Sequence, residues 1–203
     1  MWINQNSLSG ALTCTVYRGH AIETPPWHDV LEYVRNPTKL PPPYASGWNT
    51  QINYNGVLSY GGNDALSYVQ VYRDGRIEAV TGRLLATEHE GKMIIPSIAY
   101  EDKTIKYLQT CLGILKELDC AFPIAIALTL TNTKGLEMSG DKWGWDASHP
   151  ISEHTLILPE YLLEDFDAAP SKILKPMFDL VWNACGYAGS KNFDAEGNWV
   201  QRR

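Results

Sequence analysis

The densest grouping of side chains able to do chemistry is Asp146, His149, Glu153 and His154, in the run DASHPISEHT. Imidazoles and carboxylates are zinc ligands, and a catalytic zinc takes three of them while keeping one position open. The spacing speaks against it, because His149 and His154 stand at i and i+5 in a polar loop rather than sharing a helix face as in His-x-x-x-His. A solvated loop with a capping aspartate is the preferred reading, and no metal or other cofactor is expected. Trp27-His28-Asp29 with Glu32 makes a second acidic-histidine group, read as the solvated side of an amphipathic helix. In PEYLLEDFD, Glu160, Glu164, Asp165 and Asp167 could hold magnesium or exchange protons. They alternate with Tyr161, Leu162, Leu163 and Phe166, which favours the acidic outer face of a short helix.

Nucleophiles are equally sparse. Cys14, Cys111, Cys120 and Cys185 form no Cys-x-x-Cys pair, and the last three lie on or beside apolar helix faces, as reduced, buried thiols do. Gly56, Gly61, Gly62 and Gly82 match neither a phosphate loop nor a dinucleotide fingerprint, and no Gly-x-Ser-x-Gly elbow occurs. Catalytic residues stay unassigned. The side chains left for a ligand or partner surface are Trp143, Trp145, His149 and His154 of the 143–154 loop, Tyr44 after the prolines, and Trp199 near the end.

The elements that must position these residues follow from periodicity. Trp27, Val30, Leu31 and Val34 fall on one face of a helix opened by Thr24-Pro25-Pro26, and Leu40-Pro41-Pro42-Pro43-Tyr44 is expected to run extended as a stiff connector. Short strands and turns suit the Asn- and Gly-rich stretch 47–62. Leu66–Arg73 and Arg76–Gly82 read as a hairpin closed by a two-residue Asp74-Gly75 turn, which would set Tyr72 opposite Ile77 and Val69 opposite Val80. A strand is expected over Met93–Ile98. Ile105, Leu108, Leu112, Leu115 and Leu118 then give an amphipathic helix over 104–118 capped by Asp102.

Pro123–Leu130, a continuous apolar run, suits a central strand covered on both faces, with Leu136–Met138 returning beside it after a Lys134-Gly135 turn. His154–Leu158 reads as a short strand. The last helix spans about Ser171–Cys185, with Ile173, Leu174, Met177, Leu180, Val181 and Ala184 inward, Pro176 starting or bending it and Gly186 stopping it. This order predicts an α+β fold, a mainly antiparallel sheet with helices packed on it. The expected division is an N-terminal arm over 1–46, with one short helix and the Pro-rich connector, and an α+β domain over 47–203.

Composition bounds the partners. With 44% hydrophobic and 20% charged residues among 203, the chain is globular, and 17 basic against 23 acidic residues give a net charge of −6. Strong direct nucleic-acid binding needs the opposite balance. The start MWINQNSLSG has no basic head or apolar run, and no stretch is apolar enough to span a bilayer, so a soluble, cytoplasmic protein is expected.

Five stretches carry a resemblance: LPPPYASGWNTQINYNGVLSY, SYVQVYRDGRIEAV, IPSIAYED, ALTLTNTKGLEMS and ILKPMFDLVWNACGYAGSKNFDAEGNW. Together they resemble the C-terminal region of bacterial Schlafen-type proteins, over roughly Thr24 to Val200, most specifically in the helix end DLVWNACG and the Trp-closed tail. In that family an Alba-like domain associated with nucleic acid, often described as ATP-binding or helix-turn-helix, precedes the region. Only Val16-Tyr17-Arg18-Gly19-His20 could correspond to its last strand, so the resemblance transfers no catalytic role.

The resulting expectation is a noncatalytic regulatory, assembly or partner-binding domain of a bacterial nucleic-acid-associated or defence-type system, acting on a protein partner or on a second copy of itself. The alternative is a small-molecule-binding or metal-assisted hydrolytic domain with the 143–154 loop as a pocket wall. The polar tail after Gly186 is expected to fold back, docking Trp199 on the chain's own sheet or last helix.

Overall fold

The computed structural model describes residues 11–18, 31–33, 35–61, 66–139 and 148–200. Eleven strands and two long helices organise them: β1 (Ala11–Arg18), β2 (Trp48–Ile52), β3 (Gly56–Gly61), β4 (Ser67–Tyr72), β5 (Ile77–Thr81), β6 (Thr87–His89), β7 (Lys92–Ile95), α1 (Ser97–Glu117), β8 (Ile124–Thr131), β9 (Glu137–Met138), β10 (Thr155–Ile157), β11 (Tyr161–Leu163) and α2 (Pro170–Ala184). The fold is α+β. Eight strands form an antiparallel sheet in the order β10-β8-β1-β5-β4-β3-β2, with β11 also on β8, and β6-β7-β9 form a second sheet in which β7 and β9 run parallel. No helix among the described residues is long and apolar enough to cross a membrane.

β1 falls inside the segment read as an arm, yet it pairs along its length with β8 on one edge and with β5 on the other. Its alternation explains the placement. Leu12, Cys14 and Val16 are buried with Ile126, Leu128 and Leu130 of β8 and Ile77 and Ala79 of β5, and the same cluster takes in Leu108, Leu112 and Leu115 of α1 and Leu174, Phe178 and Val181 of α2. Both helices therefore share one face of the large sheet. On the opposite face of β8, Ala125 is buried and Ala127, Thr129 and Thr131 are half-buried, so the strand is covered less fully on that side than on the side facing the helices, where its sequence predicts cover on both.

Several expectations are corrected in detail. The β4–β5 hairpin has a three-residue connection: Tyr72 N–H donates to the Arg76 carbonyl at 2.8 Å, Gly75 N–H donates to Tyr72 at 3.0 Å, and Gly75 takes φ +83°. Asp74 accepts from the Arg76 backbone N–H at 3.1 Å and moves the register by one, so that Val71 faces Ile77 and Val69 faces Ala79. The two-residue turn would have placed outward Tyr72 opposite buried Ile77, mixing the two faces of the sheet. The proline connector is not extended throughout, since Ala45 N–H donates to the Pro42 carbonyl and Tyr44 sits at φ +59°.

Helix α1 begins at Ser97, seven residues before the expected start. Pro96 precedes it, the Ser97 N–H donates to Ser139 Oγ at 2.8 Å, and Asp102 pairs with Lys106 one turn on instead of capping. The strand before it stops at Ile95. β9 joins β7, not β8, and the acidic run contains strand β11 where a helix was expected. Helix α2 runs through Pro176, with Leu180 exposed and Phe178 and Trp182 inward. Gly186 ends it at φ +87°, with Tyr187 N–H donating to the Trp182 carbonyl at 3.0 Å. Of the early helix, residues 31–33 and 35 are helical; Trp27, His28, Asp29 and Val34 lie outside the described residues.

Candidate functional site

Glu101 is the most unusual side chain of the structure. It lies on α1 fully buried, on the stripe it shares with Thr104, Leu108 and Leu115. Its Oε1 accepts from Trp182 Nε1 at 2.8 Å and Ser190 Oγ at 2.6 Å, and its Oε2 accepts from Asn192 Nδ2 at 3.0 Å and Trp199 Nε1 at 2.9 Å. A carboxylate offers about four lone-pair sites. Four neutral donors occupy them, so the group has no free site with which to hold a metal or take a substrate proton. The arrangement fastens α1, α2 and the tail at one point.

Around it the tail closes on itself. Val200 N–H donates to the Asn192 carbonyl at 2.7 Å, and Phe193 and Trp199 form a bridge. Phe193 packs toward Phe178, whose ring is edge-on to Tyr100 at 5.3 Å. Asn198 N–H donates to Asp194 at 2.7 Å, and such backbone hydrogen bonds hold the Asp194 carboxyl below its usual range. Trp199 thus turns into its own chain, its indole N–H held by Glu101 of α1 and its side chain packed against the core that the sheet and both helices share.

The other candidate residues are not brought together. Trp143, Trp145 and Asp146 lie outside the described residues. His149 is exposed, its N–H donates to the Cys185 carbonyl at 2.9 Å, and its ring packs against Gly186 where a Cβ would stand. His154 is exposed and accepts at its carbonyl from Thr133 N–H. Beside it the Ser152 hydroxyl donates to the Glu153 carboxylate and lowers its pKa. Among the described residues no group of three His, Cys, Asp or Glu side chains could share a metal ion. All four cysteines are buried and none is in a disulfide; burial pushes the Cys14 thiol up to about 12 and the Cys185 thiol up to about 11.

Tyr44 stands apart from the histidines. Its left-handed backbone costs on the order of 1 kcal/mol for a residue with a side chain, the residue is 51% exposed, and Lys103 Nζ lies 5.8 Å from the ring centroid. A cleft of about 420 Å³ opens beside it, and neither His149 nor His154 lines that cleft.

The large sheet's other face carries a second feature. Directly opposite residues of antiparallel strands share a face, so Ile157, Thr129, Thr13, Val80, Tyr68 and Tyr60 form one row across six strands. Leu162, Ala125 and Tyr17 form the start of another. Among the described residues of this face Ala11 and Val80 are buried with the partly buried Leu66 and Tyr68 packed against them, and Gln70 and Ala125 are buried too, while Ile157 and Leu162 are 80% and 61% exposed. Comparison of the chain with protein-family models, with curated proteins and with solved structures finds no match in any of the three.

The sequence reading passed over Glu101. The signal was there: Glu101 precedes Leu108 by seven positions, on the stripe continued by Leu115, and a carboxylate on an apolar stripe demands partners. Starting the helix at residue 104 hid it.

Proposed function

We propose that the chain is a noncatalytic regulatory or assembly domain that docks a protein partner, within a bacterial nucleic-acid-associated or defence-type system of the kind its resemblance to Schlafen-type proteins suggests. The observation that supports this reading best is the outer sheet face, where Ile157 and Leu162 stand in solvent beside rows of threonine and tyrosine. Antiparallel sheets commonly keep one face wet, but that face is then polar. Here, covering each exposed aliphatic side chain would contribute roughly 1.5–3 kcal/mol, which favours a partner surface. Glu101 adds support for a noncatalytic role, because its acceptor sites are taken up in holding the fold.

The net charge of −6 favours a protein partner over direct contact with phosphates. The pocket reading built on the 143–154 loop gains no comparable support, since His149 and His154 are exposed and anchored to different parts of the chain. The test is sedimentation of the wild-type chain and of an Ile157→Asp, Leu162→Asp double variant, each alone over a concentration series and each mixed with an Alba-like domain from a Schlafen-type protein. Self-association or a complex that the double variant abolishes supports the proposal. Monomers throughout, with no complex, refute it.

A further inference from the structure

The large sheet ends in two sides of different character, β10 with β11 at one and β2 at the other. The first side is blunted. β10 and β11 have 3 residues each and are parted by Pro159, with Glu153, Glu160 and Glu164 close to their ends; short strands, proline and charge are how proteins keep sheet edges from pairing. β2 carries none of these devices. It reads WNTQI, and no charged residue occurs between Lys39 and Asp64 in a chain that is 20% charged.

The backbone groups that β2 leaves open follow from its hairpin with β3. Asn53 and Gly56 exchange both backbone bonds, at 2.9 and 3.3 Å, so in the alternating ladder Gln51 and Asn49 bond to Leu58 and Tyr60, while the N–H and C=O groups of Trp48, Thr50 and Ile52 point away from β3. Among the described residues no strand meets them. Gly47 borders open space, and Ile52 and Tyr54 are 52% and 94% exposed. The strand is also complementary to itself. Turned about a two-fold axis at Thr50, it sets Thr50 opposite Thr50, Trp48 opposite Ile52 and Asn49 opposite Gln51. An aromatic residue then meets a β-branched one and amide meets amide, and no like charges meet although each copy carries −6.

We propose that β2 is the interface for a second copy of this chain, the two β2 strands pairing antiparallel about Thr50 and joining two eight-stranded sheets into one. The contact occupies the open edge of both copies, so assembly stops at the dimer. It lies at the far side of the sheet from Ile157 and Leu162, so it holds or fails independently of docking on the outer face. The experiment is sedimentation of the full chain over a concentration series up to about 300 μM, because an interface of this size is a weak one. Two double variants accompany it, Asn49→Lys with Gln51→Lys and Asn49→Glu with Gln51→Glu, each of which sets like charges opposite one another in the paired register. Both side chains are exposed, so both variants are expected to melt like the wild type. A wild-type dimer whose dissociation constant rises about tenfold in each variant alone, and is recovered on mixing the two, supports the proposal. So does hydrogen exchange that slows with concentration at Trp48, Thr50 and Ile52 but not at Asn49 and Gln51. Monomers throughout, self-association that neither charged variant weakens, or self-association lost in the Ile157→Asp, Leu162→Asp variant overturns it, the last placing the contact on the outer face.

Discussion

Replacing Glu101 should loosen the tail before it loosens the core. In Glu101→Gln one oxygen becomes a donor, and two orientations compete. With the amide nitrogen at the Oε1 position, Ser190 can turn to accept, but the fully buried Trp182 N–H loses its partner. With the nitrogen at the Oε2 position, Asn192 can flip to accept, and only the half-buried Trp199 N–H is stranded, within reach of water. The second orientation costs less. One stranded donor is worth about 1–3 kcal/mol, and weakening of the surviving charge-assisted bonds is offset by the lighter desolvation of a neutral amide. Glu101→Ala strands Trp182 and Asn192 in the interior and opens a cavity, for about 3–5 kcal/mol in total. At roughly 2–4 °C per kcal/mol for a chain of this size, melting should fall by roughly 2–12 °C in the glutamine variant and 6–20 °C in the alanine variant. Hydrogen exchange is the decisive assay: in the glutamine variant residues 190–200 should lose protection while β1 and β8 keep theirs. A variant that melts like wild type with an equally protected tail would refute the assignment of Glu101 as its anchor.

Three further outcomes are expected. Trp199→Ala, or truncation after Gly189, should lower stability by about 1.5–3 kcal/mol or more without changing the sedimenting mass, because the indole packs on its own chain; a change of mass would place the tail at an interface instead. Gly186→Ala should destabilise by more than 1 kcal/mol, since a Cβ there needs a left-handed backbone and meets the His149 ring; pairing it with His149→Ala should recover the clash but not the backbone strain, which a thermal melt of both variants resolves. Cys14 ionises near 9.0 when unfolded and at about 12 when folded, so its contribution to stability is complete below pH 9 and declines as pH rises toward 12. Urea titrations from pH 8 to 11 should show this slope, and native protein at pH 8 should leave all four thiols unreactive toward a disulfide reagent until denaturant is added.

Local chemistry was enough to read much of this molecule. The apolar run at 123–130, the turn signal at Asp74-Gly75 and the glycine stop at 186 are each decided within a few residues, by alternation, by positive φ or by a missing side chain, and together they specify α+β. The burial of the cysteines was legible for the same reason. Other features rest on partners far along the chain. β1 gains its meaning from pairing with residues 77–81 and 124–131, and α1 starts at Ser97 because Ser139 caps it. Glu101 becomes tolerable in the core only once Trp182, Ser190, Asn192 and Trp199 converge on it from 81 to 98 residues away. The grouping of Tyr44 and Lys103 is likewise a product of folding. A sequence records which side chains need partners; only the folded chain, by bringing distant donors and charges into one place, decides which ones they receive.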